Sequence, residues 1–268
     1  MDMTTYYGMD SNPFEKDIDT TKLYASNDLK QMTNRLEFII RSRGIGVFMS
    51  NPGMGKTTCL RKTLQSLNPN RYIIIYICLT TITAMDFYRM LNEKLGLEAT
   101  NQKSRLFTQI QEELKRLTSE NKKEVIIAID EAQFLGKEVL REMIMLMNFD
   151  YDSKDYCTLI LTGQNELMKT LRLKILEPFR QRINMNYTFT GFNEAEVKEY
   201  VLSRLETVNC RKDLFSEESY HTVYTLMNTS VRVLNQLINK ALILGVHYQK
   251  NIIDSELIMK ASQELMMG

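Results

Sequence analysis

The chain has 268 residues, of which 44% are hydrophobic and 25% are charged, and its formal net charge at pH 7 is +1. This composition is typical of a globular protein with its own core, and it excludes a disordered chain or one drawn to nucleic acid by a global positive field. The N-terminus is polar, no apolar run approaches the roughly 18 residues of a membrane span, and the four cysteines form no metal-ligand pair. We therefore expect a cytoplasmic protein with reduced thiols and no membrane partner.

The first elements surround a glycine-rich turn. Residues 1–24 are predicted to form an irregular arm, because a proline at position 13 favours extended backbone before it. Ser26 is the predicted cap of a helix with apolar positions at helical spacing. A strand at 45–49, the turn itself and a helix through Leu67 are predicted to follow.

Short apolar runs then alternate with amphipathic segments. Strands are predicted at 72–79, 125–129, 158–162 and 187–190, and helices at 84–95, 103–119, 139–148 and 164–171. This alternation predicts an α/β fold with a central parallel sheet that is covered on both faces.

After position 192 the pattern contains helices only. The predicted caps are Asn193, Ser216, Thr229 or Ser230, and Asp254 or Ser255. We therefore predict three parts: an arm at 1–24, an α/β domain at 25–191, and a small all-α lid at 192–268.

A phosphate-binding loop is predicted between the first strand and the next helix. Its sequence is Ser50-Asn51-Pro52-Gly53-Met54-Gly55-Lys56-Thr57-Thr58, and a glycine loop that opens a helix surrounds phosphates with backbone N–H groups. Lys56 is expected to reach the β- and γ-phosphates of ATP, and the Thr57 hydroxyl is expected to bind Mg²⁺. Ser50 stands where this motif usually has its first glycine.

An acidic pair follows the apolar strand at 125–129. Because strand ends of a parallel sheet meet at one edge, Asp130 and Glu131 are expected beside the phosphate loop. Asp130 is the predicted second Mg²⁺ ligand, through water, and Glu131 is predicted to polarise the attacking water.

Four further residues are candidates for contacts with the bound nucleotide. Gln164 follows the next strand and either orients the attacking water or belongs to a strand-end turn. Arg180 and Arg182 are candidates for an arginine delivered to the γ-phosphate, sometimes of a neighbouring subunit, although a basic run of this kind is usually a solvated surface. Arg232, at the start of a lid helix, is a candidate nucleotide contact from the other side.

Together these motifs resemble the AAA+ superfamily, and within it the group that joins ExeA-type ATPases with the TnsC, TniB and MuB transposition ATPases. The resemblance rests on Tyr7-Gly8-Met9 with Asn12-Pro13-Phe14, the phosphate loop, Asp130-Glu131-Ala132-Gln133, Leu161-Thr162-Gly163-Gln164, Arg180-Gln181-Arg182-Ile183 and Val231-Arg232-Val233-Leu234-Asn235. It implies that Gln164 is sensor 1, Arg180 or Arg182 the arginine finger, and Arg232 sensor 2. It also implies that Asn12, Pro13 and Phe14 lie near the adenine.

The transposition branch of this group implies a more specific function. Its members assemble on double-stranded DNA as ATP-dependent rings or filaments and recruit a transposase, here expected to be of the DDE type. Candidate DNA contacts are Thr81 and Thr83 after the second strand, and Lys103 and Arg105 at the start of a helix. A filament needs few contacts per subunit, which fits a net charge near zero. The alternatives are an ExeA-type secretion or envelope-assembly ATPase without its membrane segment, and an ATP-controlled oligomerisation switch.

Overall fold

The computed structural model describes residues 2–15, 20–210 and 213–267. Position 1 and positions 16–19 of the predicted arm, and positions 211, 212 and 268 of the predicted lid, lie outside the described residues. The chain forms two compact units: one comprises 1–30, 51–55 and 190–268, and the other comprises 31–50 and 56–189. We call the first the helical unit and the second the sheet unit. The three-part division at 24/25 and 191/192 stays a prediction.

The described residues contain five strands and twelve α-helices. The strands are β1 Gly44–Met49, β2 Tyr72–Ile77, β3 Glu124–Ile129, β4 Cys157–Gly163 and β5 Ile183–Thr188. The helices are α1 Met3–Tyr7, α2 Asn27–Ser42, α3 Lys56–Gln65, α4 Ala84–Lys94, α5 Lys103–Ser119, α6 Lys137–Leu146, α7 Glu166–Leu171, α8 Glu177–Gln181, α9 Glu194–Glu206, α10 Glu217–Leu226, α11 Val231–His247 and α12 Ser255–Met267.

The sheet is parallel throughout, as predicted, and its strand order is β2-β3-β4-β1-β5. The central strands β1, β3 and β4 are almost entirely buried, because helices cover both faces of a parallel sheet. Their register aligns Met49 with Gly163 and Ile129 with Leu161. The carboxyl ends of β1, β3 and β4 therefore lie side by side at one edge of the sheet.

Two predicted strands are wrong in their bounds, and both are edge strands. β2 ends at Ile77 and not at Leu79, and β5 occupies 183–188 and not 187–190. In β5 every second residue is exposed. It therefore lacks the continuous apolar run by which the buried strands are recognised.

The helical unit has its own core, formed by helices α9 to α12 together with the first part of the arm. The caps Asn193 and Ser230 are confirmed, since their side chains accept backbone N–H groups of their helices. Asp254 accepts from the N–H of Leu257 at the start of α12. Ser216 stands at the cap position of α10 without a side-chain hydrogen bond to it.

The arm is more regular than predicted, because it contains helix α1. Tyr7, Met9 and Phe14 are all less than 8% exposed and pack in the core of the helical unit. Burial of these apolar side chains orders a segment whose sequence has no clear periodicity. Within the described residues, no helix is both long and apolar enough to cross a membrane.

Candidate nucleotide-binding and hydrolysis site

The predicted phosphate loop connects β1 to α3, the strand–turn–helix context that the motif requires. Gly53 and Gly55 have φ angles of 79° and 92°, a left-handed backbone that side chains with a Cβ rarely adopt. Helix α3 begins at Lys56, so its first turn presents backbone N–H groups without partners inside the helix. Such a helix start is suited to an anion such as a phosphate.

Within the sheet unit, the unusual Ser50 holds the lysine of the motif. Lys56 is only 6% exposed, and its ammonium donates to Ser50 Oγ over 3.0 Å. Ser50 is fully buried, and its N–H donates to the carbonyl of Gly163 at the end of β4. A serine at this position thus gives the buried ammonium a neutral oxygen partner, which a glycine would not provide.

Asp130 is the centre of a hydrogen-bond network at the same edge of the sheet. The carboxylate is 3% exposed and accepts from Thr57 Oγ1 at 2.6 Å and from Thr162 Oγ1 at 2.6 Å. It also accepts from Tyr76 OH at 3.0 Å and from the N–H of Glu131 at 2.9 Å. Four donors compensate the cost of burying this charge.

Thr57 and Asp130 fit a magnesium site. Mg²⁺ prefers hard oxygen ligands such as hydroxyls, carboxylates and water. The threonine hydroxyl and the aspartate carboxylate lie within hydrogen-bond distance of each other, so one small cation and its waters can be shared between them.

Tyr76 was not predicted, although it contacts the strand-end carboxylate directly. Burial, and then the negative charge of Asp130, raise the pKa of Tyr76, so its hydroxyl stays protonated and donates at neutral pH. The residue lies on edge strand β2, which pairs with β3. Only the strand order shows that this side chain adjoins the acidic pair.

Glu131 follows in a left-handed backbone conformation, with φ 54° and ψ 38°. Its carbonyl accepts from Thr80 Oγ1 at 3.1 Å, and its carboxylate accepts from Gln133 Nε2 at 2.6 Å. Gln133 Oε1 in turn accepts from the backbone N–H of Gln164 at 2.9 Å. The structure therefore brings together Asp130, Glu131 and Gln164, and adds Gln133 between them.

The two candidate arginines come just before β5, close to the amino end of that strand. Arg182 directly precedes Ile183, which pairs with Ile45, five residues before Ser50. At about 3.3 Å per residue, this places Arg182 about 16 Å or more along the strand direction from Ser50, and Arg180 lies two residues earlier, in the last turn of α8. An arginine side chain does not span that distance, so Arg182 does not reach the Lys56 and Asp130 of its own sheet unit.

The environments of these arginines differ. The guanidinium of Arg182 is partly buried and donates to the carbonyl of Ile144 at 3.3 Å. Arg180 is exposed, and its nearest partners are the carbonyl of Arg172 at 3.4 Å and the carboxylate of Glu177 at 4.0 Å. Arg180 is therefore the more accessible of the two.

In the helical unit, Arg232 lies beside a glycine of the phosphate loop. Its backbone N–H donates to the carbonyl of Gly53 at 3.1 Å. A Cβ added to Gly53 would lie 3.0 Å from Arg232 Cβ and 2.3 Å from Ser230 Oγ, so only glycine fits. The close approach joins segment 51–55 to the start of α11. In this segment Met54 is buried, whereas Asn51 and Pro52 are exposed.

Asn12, Pro13 and Phe14 attach the arm to the helices of the same unit. Asn12 Nδ2 donates to Asn239 over 2.9 Å, and its Oδ1 accepts from the N–H of Phe14. The Arg204 guanidinium, itself 6% exposed, donates from Nε to the carbonyl of Pro13 at 2.7 Å. These contacts show what holds this segment in place within the helical unit. Its proximity to an adenine stays a prediction.

The four candidate DNA contacts are distributed over the start of α4 and the start of α5. Thr81 is exposed, and Thr83 is the cap of α4, where its hydroxyl bonds to Asp86 at 2.6 Å in a capping box. Thr83 therefore has a structural role that is independent of any DNA.

The two basic candidates each face an acid of the same unit. Lys103 pairs with Glu142 at 2.5 Å, and Arg105 pairs with Glu98 at 3.5 Å. These ion pairs reduce the net positive potential at the start of α5, so the DNA contacts stay a prediction.

The order β2-β3-β4-β1-β5, with a phosphate loop after β1, an acidic pair after β3 and a glutamine after β4, is the AAA+ P-loop fold. Residues 40–171 match the family model described as an AAA domain. Over 243 residues, 90% of the chain, the sequence is 28% identical to general secretion pathway protein A of Aeromonas hydrophila. The chain spans 44% of that relative's length.

Solved structures show the same fold. Drosophila ORC bound to DNA matches with a TM-score of 0.69 and 12% identity, covering 98% of this chain and 66% of that chain. Cdc6p from Pyrobaculum aerophilum matches with a TM-score of 0.65 and 15% identity, covering 92% and 71%. The chain therefore has the AAA+ P-loop fold, which these solved structures share.

Proposed function

We propose that this chain hydrolyses ATP with Mg²⁺ in an assembly where one copy supplies an arginine to the nucleotide of the next. The observation that carries the proposal is the convergence of Lys56, Thr57, Asp130 and Glu131 at one edge of the sheet. This set contains a phosphate-binding cation, two ligands suited to Mg²⁺ and a base for water. These are the parts that phosphoryl transfer to water needs.

The residues act through position and charge. Lys56 leaves Ser50 and binds the β- and γ-phosphates, and the loop glycines admit those phosphates close to the backbone. Thr57 and Asp130 would hold Mg²⁺, which would supply positive charge to stabilise the phosphates during transfer. Glu131 accepts the proton of the attacking water, Gln164 contacts the γ-phosphate, and Arg232 contacts the nucleotide beside Gly53.

We assign the arginine finger to Arg180. Both candidates come just before the amino end of β5, so the finger acts in trans. Arg180 is exposed, whereas Arg182 is engaged by the carbonyl of Ile144. Hydrolysis then requires contact between copies, which makes self-association part of the activity.

A mixing experiment tests this assignment. Glu131→Gln and Arg180→Ala are each expected to abolish most turnover alone. Mixed, they should regain turnover, because some interfaces then combine an intact Glu131 from one copy with an intact Arg180 from the other. Arg182→Ala is the matched control. Recovery with Arg182→Ala and not with Arg180→Ala would reassign the finger, and absence of recovery with both would contradict a trans arginine.

For the wider role, we propose an ATP-dependent regulator of transposition that assembles on double-stranded DNA and recruits a DDE-type transposase. The motif set of the sequence supports this role, and a fold neighbour is a DNA-bound assembly. A second candidate, a secretion-pathway ATPase, is favoured by the likeness to general secretion pathway protein A. In a third candidate role, ATP binding only controls the oligomeric state of the protein.

Imaging separates these roles. The chain is mixed with double-stranded DNA, Mg²⁺ and a non-hydrolysable ATP analogue, with Lys56→Ala as control. Regular rings or filaments on DNA, absent in the variant, are expected for the first role. Particles that never associate with DNA would rule it out, and nucleotide-dependent oligomers without DNA would favour the other two.

A further inference from the structure

Gln133 occupies a defined place between the ends of β3 and β4. It lies in a 3₁₀ turn at 132–134, directly after the acidic pair. Its side-chain amide bridges two groups: Nε2 donates to Glu131 Oε2 at 2.6 Å, and Oε1 accepts from the N–H of Gln164 at 2.9 Å. The backbone N–H of Gln164 can only donate, so the amide oxygen must face it. The amide NH₂ therefore faces the Glu131 carboxylate.

The surrounding backbone is shaped around this side chain. A Cβ on Gly163 would lie 3.0 Å from Gln133 Oε1 and 3.3 Å from Gln133 N. Any larger residue at 163 would thus press on the bridging amide. The absence of a side chain at the end of β4 lets Gln133 lie against the backbone of the next strand.

Glu131 is held on both sides. Its left-handed backbone is a conformation that non-glycine residues rarely adopt, because it is strained. Thr80 fixes its carbonyl, and Gln133 fixes its carboxylate. A residue kept in such a conformation by contacts on two sides has its side-chain direction determined, which is what a base for an attacking water requires.

We propose that Gln133 is a positioning residue for ATP hydrolysis, an inference that rests on the proposed function. By binding Oε2 it directs Oε1 of Glu131 toward the attacking water. Because Gln133 also accepts from the N–H of Gln164, the orientation of the Glu131 carboxylate depends on the position of the Gln164 loop, which is proposed to contact the γ-phosphate. A shift of the Gln164 loop then turns the Glu131 carboxylate, without any direct contact between the two side chains.

Two substitutions separate positioning of Glu131 from bracing of the Gln164 loop. Gln133→Leu removes both hydrogen bonds. Gln133→Glu keeps an acceptor for Gln164 and replaces the donor to Glu131 with a second carboxylate, which repels it. If Gln133 positions Glu131, kcat falls about 10- to 100-fold in both variants, as for a base displaced by about 1 Å. The KM for ATP and the affinity for a non-hydrolysable analogue should stay within about threefold, because ground-state binding is retained.

Gln111→Leu is the matched control, a half-buried glutamine of the same unit that donates to the carbonyls of Leu146 and Asn148. It should leave kcat unchanged. In a Glu131→Gln background, Gln133→Leu should cause no further loss, because the two side chains act as one unit.

Three outcomes would contradict the inference. If Gln133→Glu has nearly wild-type kcat while Gln133→Leu is slow, the residue only braces the loop. If both variants hydrolyse ATP at the wild-type rate while Glu131→Gln does not, Gln133 has no role in catalysis and the proposed function still holds. If the wild-type chain with Mg²⁺ shows no turnover at any concentration, both the proposed function and this inference are wrong.

Discussion

The contact between Ser50 and Lys56 allows a quantitative test of how the phosphate loop works. We expect Ser50→Ala to lower the stability of the protein in the absence of nucleotide. The ammonium and the hydroxyl are 6% and 0% exposed and lie 3.0 Å apart, so water cannot readily replace the lost partner. A hydrogen bond to a charged group contributes about 1.5–3 kcal/mol. At about 2–4 °C per kcal/mol, the melting temperature should fall by about 3–12 °C.

The same substitution should strengthen ATP binding. If Lys56 must release Ser50 in order to bind phosphate, the wild-type protein loses this hydrogen bond on binding and the variant does not. Because the unliganded variant already lacks this hydrogen bond, ATP binding does not have to break it. The binding free energy therefore becomes more favourable by the amount that Ser50→Ala destabilises the unliganded protein. About 1.5–3 kcal/mol corresponds to about a 10- to 150-fold lower Kd for Mg-ATP, measured by titration calorimetry.

A double-mutant cycle supplies the control. In a Lys56→Met background the ammonium is absent, so Ser50→Ala should change the melting temperature much less than in the wild type. Equal effects in both backgrounds would show that the serine acts through some other contact. An ATP affinity that falls in Ser50→Ala would refute the reasoning, because it would mean that the hydroxyl helps to bind the nucleotide.

Three further substitutions test other parts of the site and fold. Tyr76→Phe removes one of four donors to the strand-end carboxylate, and thermal unfolding should show a loss of about 1 kcal/mol, small because the residue is 38% exposed. Gly53→Ala should destabilise the helical unit, since its Cβ would meet Ser230 Oγ at 2.3 Å; Ser230→Gly should restore part of the melting temperature, and no restoration would contradict the clash. The hydrogen bond from Lys115 holds the pKa of Asp150 below its usual value. The stability that this hydrogen bond contributes is present above about pH 4 and is lost as the pH falls through the lowered pKa. Asp150→Asn should therefore make the melting temperature depend less on pH below about pH 4; an unchanged pH dependence would disprove this coupling.

The sequence was sufficient to predict where the residues directly after an apolar strand lie. A glycine loop after an apolar run, and two acids after another, predict their place because the ends of parallel strands meet at one edge. The order of the strands in the sheet could not be predicted, because it depends on long-range pairing that no local sequence pattern encodes. Tyr76 and the bridging role of Gln133 depend on the pairs β2–β3 and β3–β4. The sequence places Tyr76 inside the strand predicted at 72–79, and only the end of β2 at Ile77 brings its hydroxyl to the carboxyl edge of the sheet.

The arm shows a second limit of sequence patterns. Tyr7, Met9 and Phe14 are buried side chains, yet their spacing matches neither a helix nor a strand. Their burial results from the shape of the core formed by α9 to α12 and from the Arg204 guanidinium that binds the carbonyl of Pro13. Contacts between an irregular segment and a distant helix leave no periodicity in the sequence.

If Arg180 is the arginine finger, as we propose, catalysis requires assembly. Lys56, Asp130 and Glu131 lie at the carboxyl ends of the strands, whereas Arg180 lies in α8, the helix that precedes the amino end of β5. Under the proposed assignment, one copy carries all the catalytic groups, but its arginine acts on the nucleotide of the next copy. A partner that orders neighbouring copies, whether DNA or protein, would accelerate hydrolysis without contacting the nucleotide, because it would bring each arginine to the next copy's phosphates. Turnover is then a measure of assembly, which is the property that an ATP-dependent regulator needs.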